Sequence, residues 1–175
     1  MSGMRKAISL LAFIAVCAAA QAQKGMDFAE KFMRTCDGDS MVKCITVSPK
    51  MMEQIAGMTS SEADDDEGRQ DQLRQAMQKL RSARIISVDT LAAEYYDKAV
   101  ALLEKHSQRF SHWSDYEDGT VQGAFYGRKP KKGNIAKEMV MLQLDNQKGT
   151  FTVVDLTGEI DEEFIETLTK AFEPK

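Results

Sequence analysis

The chain has two histidines, the residue type best suited to acid–base chemistry near neutral pH. His106 and His112 are followed closely by Asp115 and Glu117. Imidazole nitrogens and carboxylate oxygens together could hold a metal ion or share a proton. Each histidine also has a simpler explanation, because His106 ends a predicted helix, where a positive charge is favourable, and His112 begins a predicted strand. A small hydrolase or metal-dependent enzyme using His106 and His112 is therefore the alternative hypothesis.

Motifs of the common enzyme classes are missing from the sequence. It contains no GxSxG turn, no HExxH zinc motif, no P-loop and no dinucleotide-binding glycine pattern. With 43% hydrophobic and 29% charged residues, the composition is that of a globular protein rather than a disordered chain. The sequence therefore predicts a folded, non-enzymatic protein without a cofactor or a metal site.

Cys36 and Cys44 are candidates for a disulfide. They flank the predicted turn Asp37-Gly38-Asp39, which joins a helix to the following strand. In an oxidising compartment such a pair favours a bridge, although two buried free cysteines remain the alternative. There is no CxxC motif for redox chemistry, and two cysteines are too few for a zinc site.

Aromatic residues on a predicted hairpin form a candidate binding surface. Its members are Trp113, Tyr116 and Tyr126, and Phe125 lies on the same predicted hairpin. Because side chains alternate along a strand, some members should face the core, and Phe125 is the expected one. Trp113 and Tyr116 can share a face only if their strand contains a bulge.

A basic loop follows the hairpin and extends this candidate surface. Its charged residues are Arg128, Lys129, Lys131 and Lys132. They could contact an anionic envelope surface or an acidic partner, whereas a solvated loop is the simpler explanation. The formal net charge of −4 argues against nucleic acid as the partner.

Residues 1–22 are a predicted signal peptide. Arg5 and Lys6 precede an apolar run from Ala7 to Ala20, and Ala20-Gln21-Ala22 is typical of a cleavage site. The run has 14 residues. A membrane span needs about 20. We therefore expect a periplasmic or secreted protein after cleavage near Ala22.

Cys17 offers a different outcome for the same segment. A lipoprotein signal has a cysteine after a short apolar run, and Ile14 and Ala15 fit that pattern. Val16 does not fit, because a small residue is wanted there. Lipidation of Cys17 would make the protein a membrane-anchored lipoprotein, and only in that case is membrane contact expected.

Residues 23–175 are predicted to form one α+β domain. Strands are expected at 41–47, 84–89, 110–117, 120–128, 137–145 and 150–157, with the hairpin signal Asp118-Gly119 between the third and fourth. Gly158 should end the last strand. Helices lie between the early strands and at the end, which predicts a single mixed, mostly antiparallel sheet with helices packed on one face.

Two helices have clear sequence signals. Asp27 is placed to cap the first helix. Thr90 should cap a long helix that ends near Lys105. Its predicted buried stripe is Leu91, Tyr95, Ala99 and Leu102.

Three segments together resemble a known family. They are the strand from Val42 to Pro49 leading into Ser-Pro-Lys-Met-Met, the strand Ile85-Ile86-Ser87-Val88, and the run from Val153 to Asp161 before the last helix. Over residues 26–172 the chain resembles the small exported bacterial proteins grouped as domain of unknown function 4252. The resemblance implies a periplasmic or envelope-associated protein, with lipoprotein signals in many members. It implies no reaction and no catalytic residues.

The leading hypothesis is an exported, non-enzymatic binding or interaction domain. Its partner is unknown from sequence, and an envelope protein or surface is the expected kind. An interaction protein that adds a strand to its sheet edge is a further alternative, which an exposed, flat edge strand would favour.

Overall fold

The computed structural model describes residues 25–52, 54, 67–130, 132–133 and 135–172. In these ranges a short helix begins at Pro49, and four longer helices are present: α1 (Phe28–Thr35), α2 (Glu67–Gln78), α3 (Ala92–Lys105) and α4 (Glu162–Phe172). The strands are β1 (Val42–Val47), β2 (Leu80–Val88), β3 (Phe110–Asp118), β4 (Val121–Arg128), β5 (Ala136–Asp145) and β6 (Thr150–Ile160).

All six strands form one sheet in the order β1-β2-β6-β5-β4-β3. Every neighbouring pair is antiparallel, which confirms the α+β class and the mostly antiparallel sheet. The hairpin between β3 and β4 turns at Gly119, whose φ of +60° suits glycine. β1 and β3 are the two outer strands, so each has one edge without a strand partner in the described sheet.

One face of the sheet is covered by α1 and α3. Asp27 caps α1 as predicted, since its side chain accepts the backbone N–H of Glu30 at 2.8 Å. Phe28 and Phe32 of α1 stack with ring centroids 5.9 Å apart. They pack against buried strand residues of this face, among them Ile86, Val88, Val140, Leu142, Phe151 and Val153.

The opposite face is covered at one end by α2 and α4. Ala76 of α2 and Phe164 of α4 share a buried cluster with Ala83, Met139 and Leu156. This differs from the expectation that the helices lie on one face. The physical reason is that the central strands are apolar on both sides, as in Ile85-Ile86 and Val153-Val154, so both faces need cover.

Two boundaries also differ from the sequence prediction. β6 continues through Gly158 to Ile160, and a Cβ at Gly158 would come within 2.4 Å of the carbonyl oxygen of Lys79. Gly158 therefore permits a close backbone approach instead of ending the strand. Leu91 lies before α3 with a φ of 55° and is exposed, so it does not belong to the buried stripe.

The buried side of α3 is made by a set shifted slightly from the predicted one. It consists of Ala92, Tyr95, Ala99 and Leu103, with Leu102 only partly buried. Tyr95 and Ala99 were therefore predicted correctly. In the part of the chain that the structure describes, no helix is long and apolar enough to cross a membrane.

Candidate functional site

One apolar residue from each of five neighbouring strands forms a row across the second face of the sheet. Directly opposed residues in antiparallel strands place their side chains on the same face. The register joins these residues in sequence from β1 to β4, and we call them the apolar row: Ile45, Ile85, Val154, Met141 and Phe125. Ile45 is 59% exposed and the other four are half-buried.

The apolar row lies where the helical cover of this face ends. On one side is a parallel row that α2 and α4 bury, with Val47, Ala83, Leu156 and Met139 as members. On the other side the row is polar and at least partly exposed, with Lys43, Ser87, Thr152 and Gln143. The apolar row is thus partly accessible to solvent, and it lies between a row that the helices bury and a row of polar residues.

Two aromatic residues lie beside the Phe125 end of the row. The pairing of β3 with β4 shifts between His112 and Ser114, so the bulge required for Trp113 and Tyr116 to share a face is present. A Cβ at Gly127 would come within 1.7 Å of the Trp113 ring. At Gly123 the corresponding distance to the Tyr116 ring is 2.5 Å. The two rings therefore lie over glycines of β4.

Tyr116 links this aromatic pair to the row. Its ring centroid is 5.4 Å from that of Phe125, and its hydroxyl donates to the carbonyl of Leu142 at 3.4 Å. Burial raises the pKa of Tyr116 to about 12, so the hydroxyl stays protonated at physiological pH. Trp113 remains 37% exposed and borders the open part of the face.

Tyr126 does not belong to this surface. It lies on the opposite face, buried, with its ring 5.2 Å from that of His112. Phe125, the expected core member, is instead half-exposed in the apolar row. The prediction therefore reversed the two alternating faces of β4. Tyr126 lies on the face that α1 and α3 cover, and this face is the more deeply buried one.

Two buried carboxyl groups lie under the start of α1. Glu138 of β5 and Asp155 of β6, which we call the acid pair, are 0% and 1% exposed. Glu138 accepts the N–H of Phe28 at 2.5 Å, and Asp155 accepts the N–H of Ala29 at 2.7 Å. These N–H groups belong to the first turn of α1, which has no intrahelical acceptors for them. The acid pair therefore ties α1 to the sheet.

Three arginines surround the acid pair. Arg109 and Arg128 lie 3.6 and 3.2 Å from Glu138 Oε2. Arg84 is opposite Asp155 in the strand register and pairs with Asp27 Oδ1 at 3.0 Å. Burial raises the pKa of Glu138 despite these cations, and burial together with the charge of Glu138 raises the pKa of Asp155 well above its usual value. In the described ranges Asp155 Oδ1 has no hydrogen-bond partner.

Sequence reasoning missed the acid pair. The available signal was a carboxylate at a core-facing position of an apolar strand, as in Val153-Val154-Asp155-Leu156. Alternation along a strand is enough to put Asp155 on the same face as Val153. It did not show that Glu138 or the first turn of α1 would meet it there.

Comparison with known proteins identifies the family of the chain. The family described as Domain of unknown function (DUF4252) matches residues 32–168. The chain belongs to that family. No curated protein and no solved structure matches it. The matched segment of this DUF4252 domain contains all six strands, the apolar row and the acid pair.

The histidines of the DUF4252 domain have separate surroundings. His112 Nε2 lies 2.8 Å from Asp115 Oδ1 on β3, and both side chains are exposed. His106 follows α3, and burial together with Lys31, Lys105 and Arg109 lowers its pKa. Among the described residues, no group of three or more His, Cys, Asp or Glu side chains is arranged to hold a metal ion.

The predicted disulfide is not present in the structure. Cys36 is a buried free thiol at the end of α1, and Cys44 is an exposed free thiol on β1. Burial raises the pKa of both thiols, so neither is an activated nucleophile. The lipidation candidate Cys17 lies outside the described residues.

The basic loop is partly tied to the domain. Arg128 pairs with Glu138, and Lys129 Nζ donates to the carbonyl of Ser107 at 2.8 Å. Lys131 lies outside the described residues. An open cavity of about 550 Å³ is lined by Arg128, Lys129, Pro130, Lys132, Ile135 and Lys137.

Proposed function

We propose that this DUF4252 domain is an exported, non-enzymatic binding domain, and that it binds an apolar helical segment of an envelope protein along the apolar row. The observation that carries the proposal is the row itself. Ile45, Ile85, Val154, Met141 and Phe125 continue across five strands on a face whose adjoining row is already covered by helices.

The dimensions of the row suit a helix. Five strands separated by about 4.8 Å give a row roughly 19 Å long. A helix rises 1.5 Å per residue, so about 13 residues would cover it. An amphipathic helix could place its apolar stripe on Val154 and Met141 and its polar flank beside Thr152 and Gln143. It would extend the layer that α2 and α4 begin.

The aromatic pair gives one end of the row a firm boundary. Trp113 and Tyr116 are held over Gly127 and Gly123. Aromatic residues with restricted motion contribute contact area at a small cost in conformational entropy. They are suited to fixing the end of a bound segment beside Phe125.

Export and the lack of catalysis are supported by the sequence. The charged start, short apolar run and small-residue exit in residues 1–22 favour a periplasmic or secreted location, with a membrane anchor through Cys17 as the alternative. No common catalytic motif is present in the sequence. The separate surroundings of His106 and His112 also argue against the hydrolase alternative.

A binding experiment can use Trp113, the only tryptophan in the chain. The probe is a synthetic 14-residue amphipathic helix of leucine and glutamine. Its control is the same composition in an order without a helical stripe. We expect the amphipathic probe to shift the Trp113 emission to shorter wavelength with a saturable dependence on concentration, because it excludes water from the ring.

Two variants identify the surface. Met141→Lys places a charge in the middle of the apolar row and should weaken binding at least tenfold. Gln147→Lys, in the exposed turn between β5 and β6, should leave binding within twofold. Equal binding by both variants, or equal binding of the scrambled probe, would show that the row is not the binding surface.

A further inference from the structure

We propose that the free edge of β1 binds a second copy of this chain, so that two sheets join into one continuous antiparallel sheet around a two-fold axis. The second copy is a different ligand from the helix proposed for the apolar row. It meets the edge of the sheet, whereas the helix lies on its face.

The two edges of the sheet differ in their capacity for pairing. β3 is interrupted by the bulge after His112 and presents Asp115, Glu117 and Asp118. Bulges and charges are common means of preventing edge association. Two β3 edges placed together would also bring acidic side chains against each other. β3 is therefore protected.

β1 has less of that protection over its central residues. It pairs with β2 in unbroken register from Val42 to Val47. Its only charged residue is Lys43, which is 3.0 Å from Asp89 Oδ2. Its outward main-chain N–H and C=O groups have no strand partner in the described sheet. A regular edge of this kind is a template for another strand.

Exposed apolar side chains are concentrated at this edge. Six large hydrophobic residues are exposed among the described residues, and three of them, Met41, Ile45 and Met51, lie in β1 or within four residues of it. Ile45 is the outer end of the apolar row. Pairing at β1 would shield it and join the apolar rows of the two copies end to end.

Charge selects one register for that pairing. With Ile45 opposite Ile45 of the second copy, Lys43 lies opposite Val47 and Cys44 opposite Thr46. The two copies of Lys43 are then four residues apart along the strands, roughly 13 Å. With Cys44 opposite itself, the two copies of Lys43 become diagonal neighbours at about 7–8 Å, which places like charges close together. The Ile45-centred register avoids that repulsion.

The symmetry also limits the assembly to two copies. A contact between two β1 edges is isologous, because each copy supplies the same surface. In the described sheet the other outer strand is β3, whose edge is protected, so the joined sheet does not continue into a filament. A six-residue strand gives an interface at the small end of stable associations, and we expect a dissociation constant in the micromolar range.

Sedimentation velocity on the purified protein over a hundredfold range of concentration tests the proposal. We expect a monomer–dimer equilibrium, and Ile45→Lys should weaken dimerisation at least tenfold because two charges would meet at the axis. Ser114→Lys, on the protected β3 edge, is the matched control and should leave the equilibrium unchanged. A monomer at every concentration, or equal weakening by both variants, would overturn the proposal.

Cross-linking tests the register without relying on a disruptive variant. In a Cys44→Ser background, Ile45→Cys should form a disulfide-linked dimer under mild oxidation, and Ser114→Cys in the same background should not. The unsubstituted chain should cross-link through Cys44 far more slowly. Faster cross-linking through Cys44 would overturn the Ile45-centred register. Circular dichroism and urea unfolding verify that each variant is folded.

Discussion

The indole ring of Trp113 lies directly over Gly127 on the neighbouring strand. A Cβ at Gly127 would approach the ring to 1.7 Å, well inside van der Waals contact. The packing of Trp113 on this side of β4 therefore depends on residue 127 having no side chain. Glycine leaves the space, and the aromatic ring from β3 fills it and shields the strand backbone.

Gly127→Ala should expel the Trp113 ring from this position. We expect the free energy of unfolding to fall by about 1–3 kcal/mol, the usual range for overpacking a filled site. The emission of Trp113 should move to longer wavelength as the ring becomes hydrated. Gly68→Ala is the control, because a Cβ there meets nothing within 4 Å. Loss of stability only in the control would contradict the contact.

Asp155→Asn should stabilise the protein at pH 8. Asparagine keeps an oxygen for the N–H of Ala29 and removes a carboxyl whose ionisation is opposed by burial. We expect a measurable gain in the free energy of urea unfolding, because the cost of ionising a buried carboxyl is removed. Asp155→Ala should instead lose about 1–3 kcal/mol, because it leaves the N–H of Ala29 buried without an acceptor.

Glu138→Gln is the informative comparison for that experiment. Glu138 lies close to Arg109 and Arg128, so removing its charge leaves two partly buried cations without their carboxylate. That loss offsets part of the gain from removing a buried charge, so Glu138→Gln should stabilise the protein at pH 8 by less than Asp155→Asn does. If Glu138→Gln stabilised the protein as much as Asp155→Asn, or more, the distinct surroundings assigned to the two carboxyls would not explain their effects.

The acid pair also predicts how stability depends on pH. Both carboxyls have a raised pKa in the folded protein, so the folded state binds protons more tightly than the unfolded chain does. The free energy of unfolding contributed by the pair should fall as pH rises from about 4, the ordinary carboxyl value, through the raised folded-state values. Urea unfolding at a series of pH values measures this slope.

Asp145 and Asp161 give the free energy of unfolding the opposite dependence on pH, and they do so at lower pH. Backbone N–H groups and Lys148 lower the pKa of Asp145, and Lys79 with the N–H of Phe164 lowers that of Asp161. Their stabilisation is lost as pH falls through those lowered values. The expected maximum is therefore mildly acidic, and Asp155→Asn should flatten the alkaline side. An unchanged alkaline slope in that variant would exclude Asp155 as its source.

Leu91→Asn should stabilise the protein. Leu91 has a φ of 55° and is 59% exposed, so it adopts a left-handed conformation and contributes little burial. That conformation is unfavourable by roughly 1–2 kcal/mol for most residues, and asparagine tolerates it better. We expect a gain of about 1 kcal/mol in urea unfolding. Leu91→Ala retains the Cβ that causes the strain and should give no comparable gain.

Much of the fold followed from local patterns. All six strands were predicted, with Asp118-Gly119 as the hairpin turn and Asp27 as the cap of α1, because turn and cap chemistry acts over only a few residues. The single-face placement of the helices did not follow. A strand that is apolar on both sides can be identified from sequence, but which helix covers each side depends on the path of the chain.

The candidate surfaces were likewise predictable only in part from local sequence. Trp113 and Tyr116 could be selected as residue types, and the need for a bulge could be stated, but the choice between Phe125 and Tyr126 required the assembled sheet. The apolar row joins residues as far apart as Ile45 and Val154. Its members carry no common local signal, because only strand register makes them neighbours.

Local sequence patterns were enough for the α+β class and for the order of strands along the chain, since these depend on periodicity, turns and short-range spacing. The family was indicated by the resemblance of three segments to it, and the match over residues 32–168 shows it. The tertiary structure was needed to show that Glu138 and Asp155 meet the first turn of α1, and that Ile45 ends an apolar row at an outer strand of the described sheet. These relationships are set by the register of non-consecutive strands. That register follows from burying both faces of the sheet at once, which no single segment specifies.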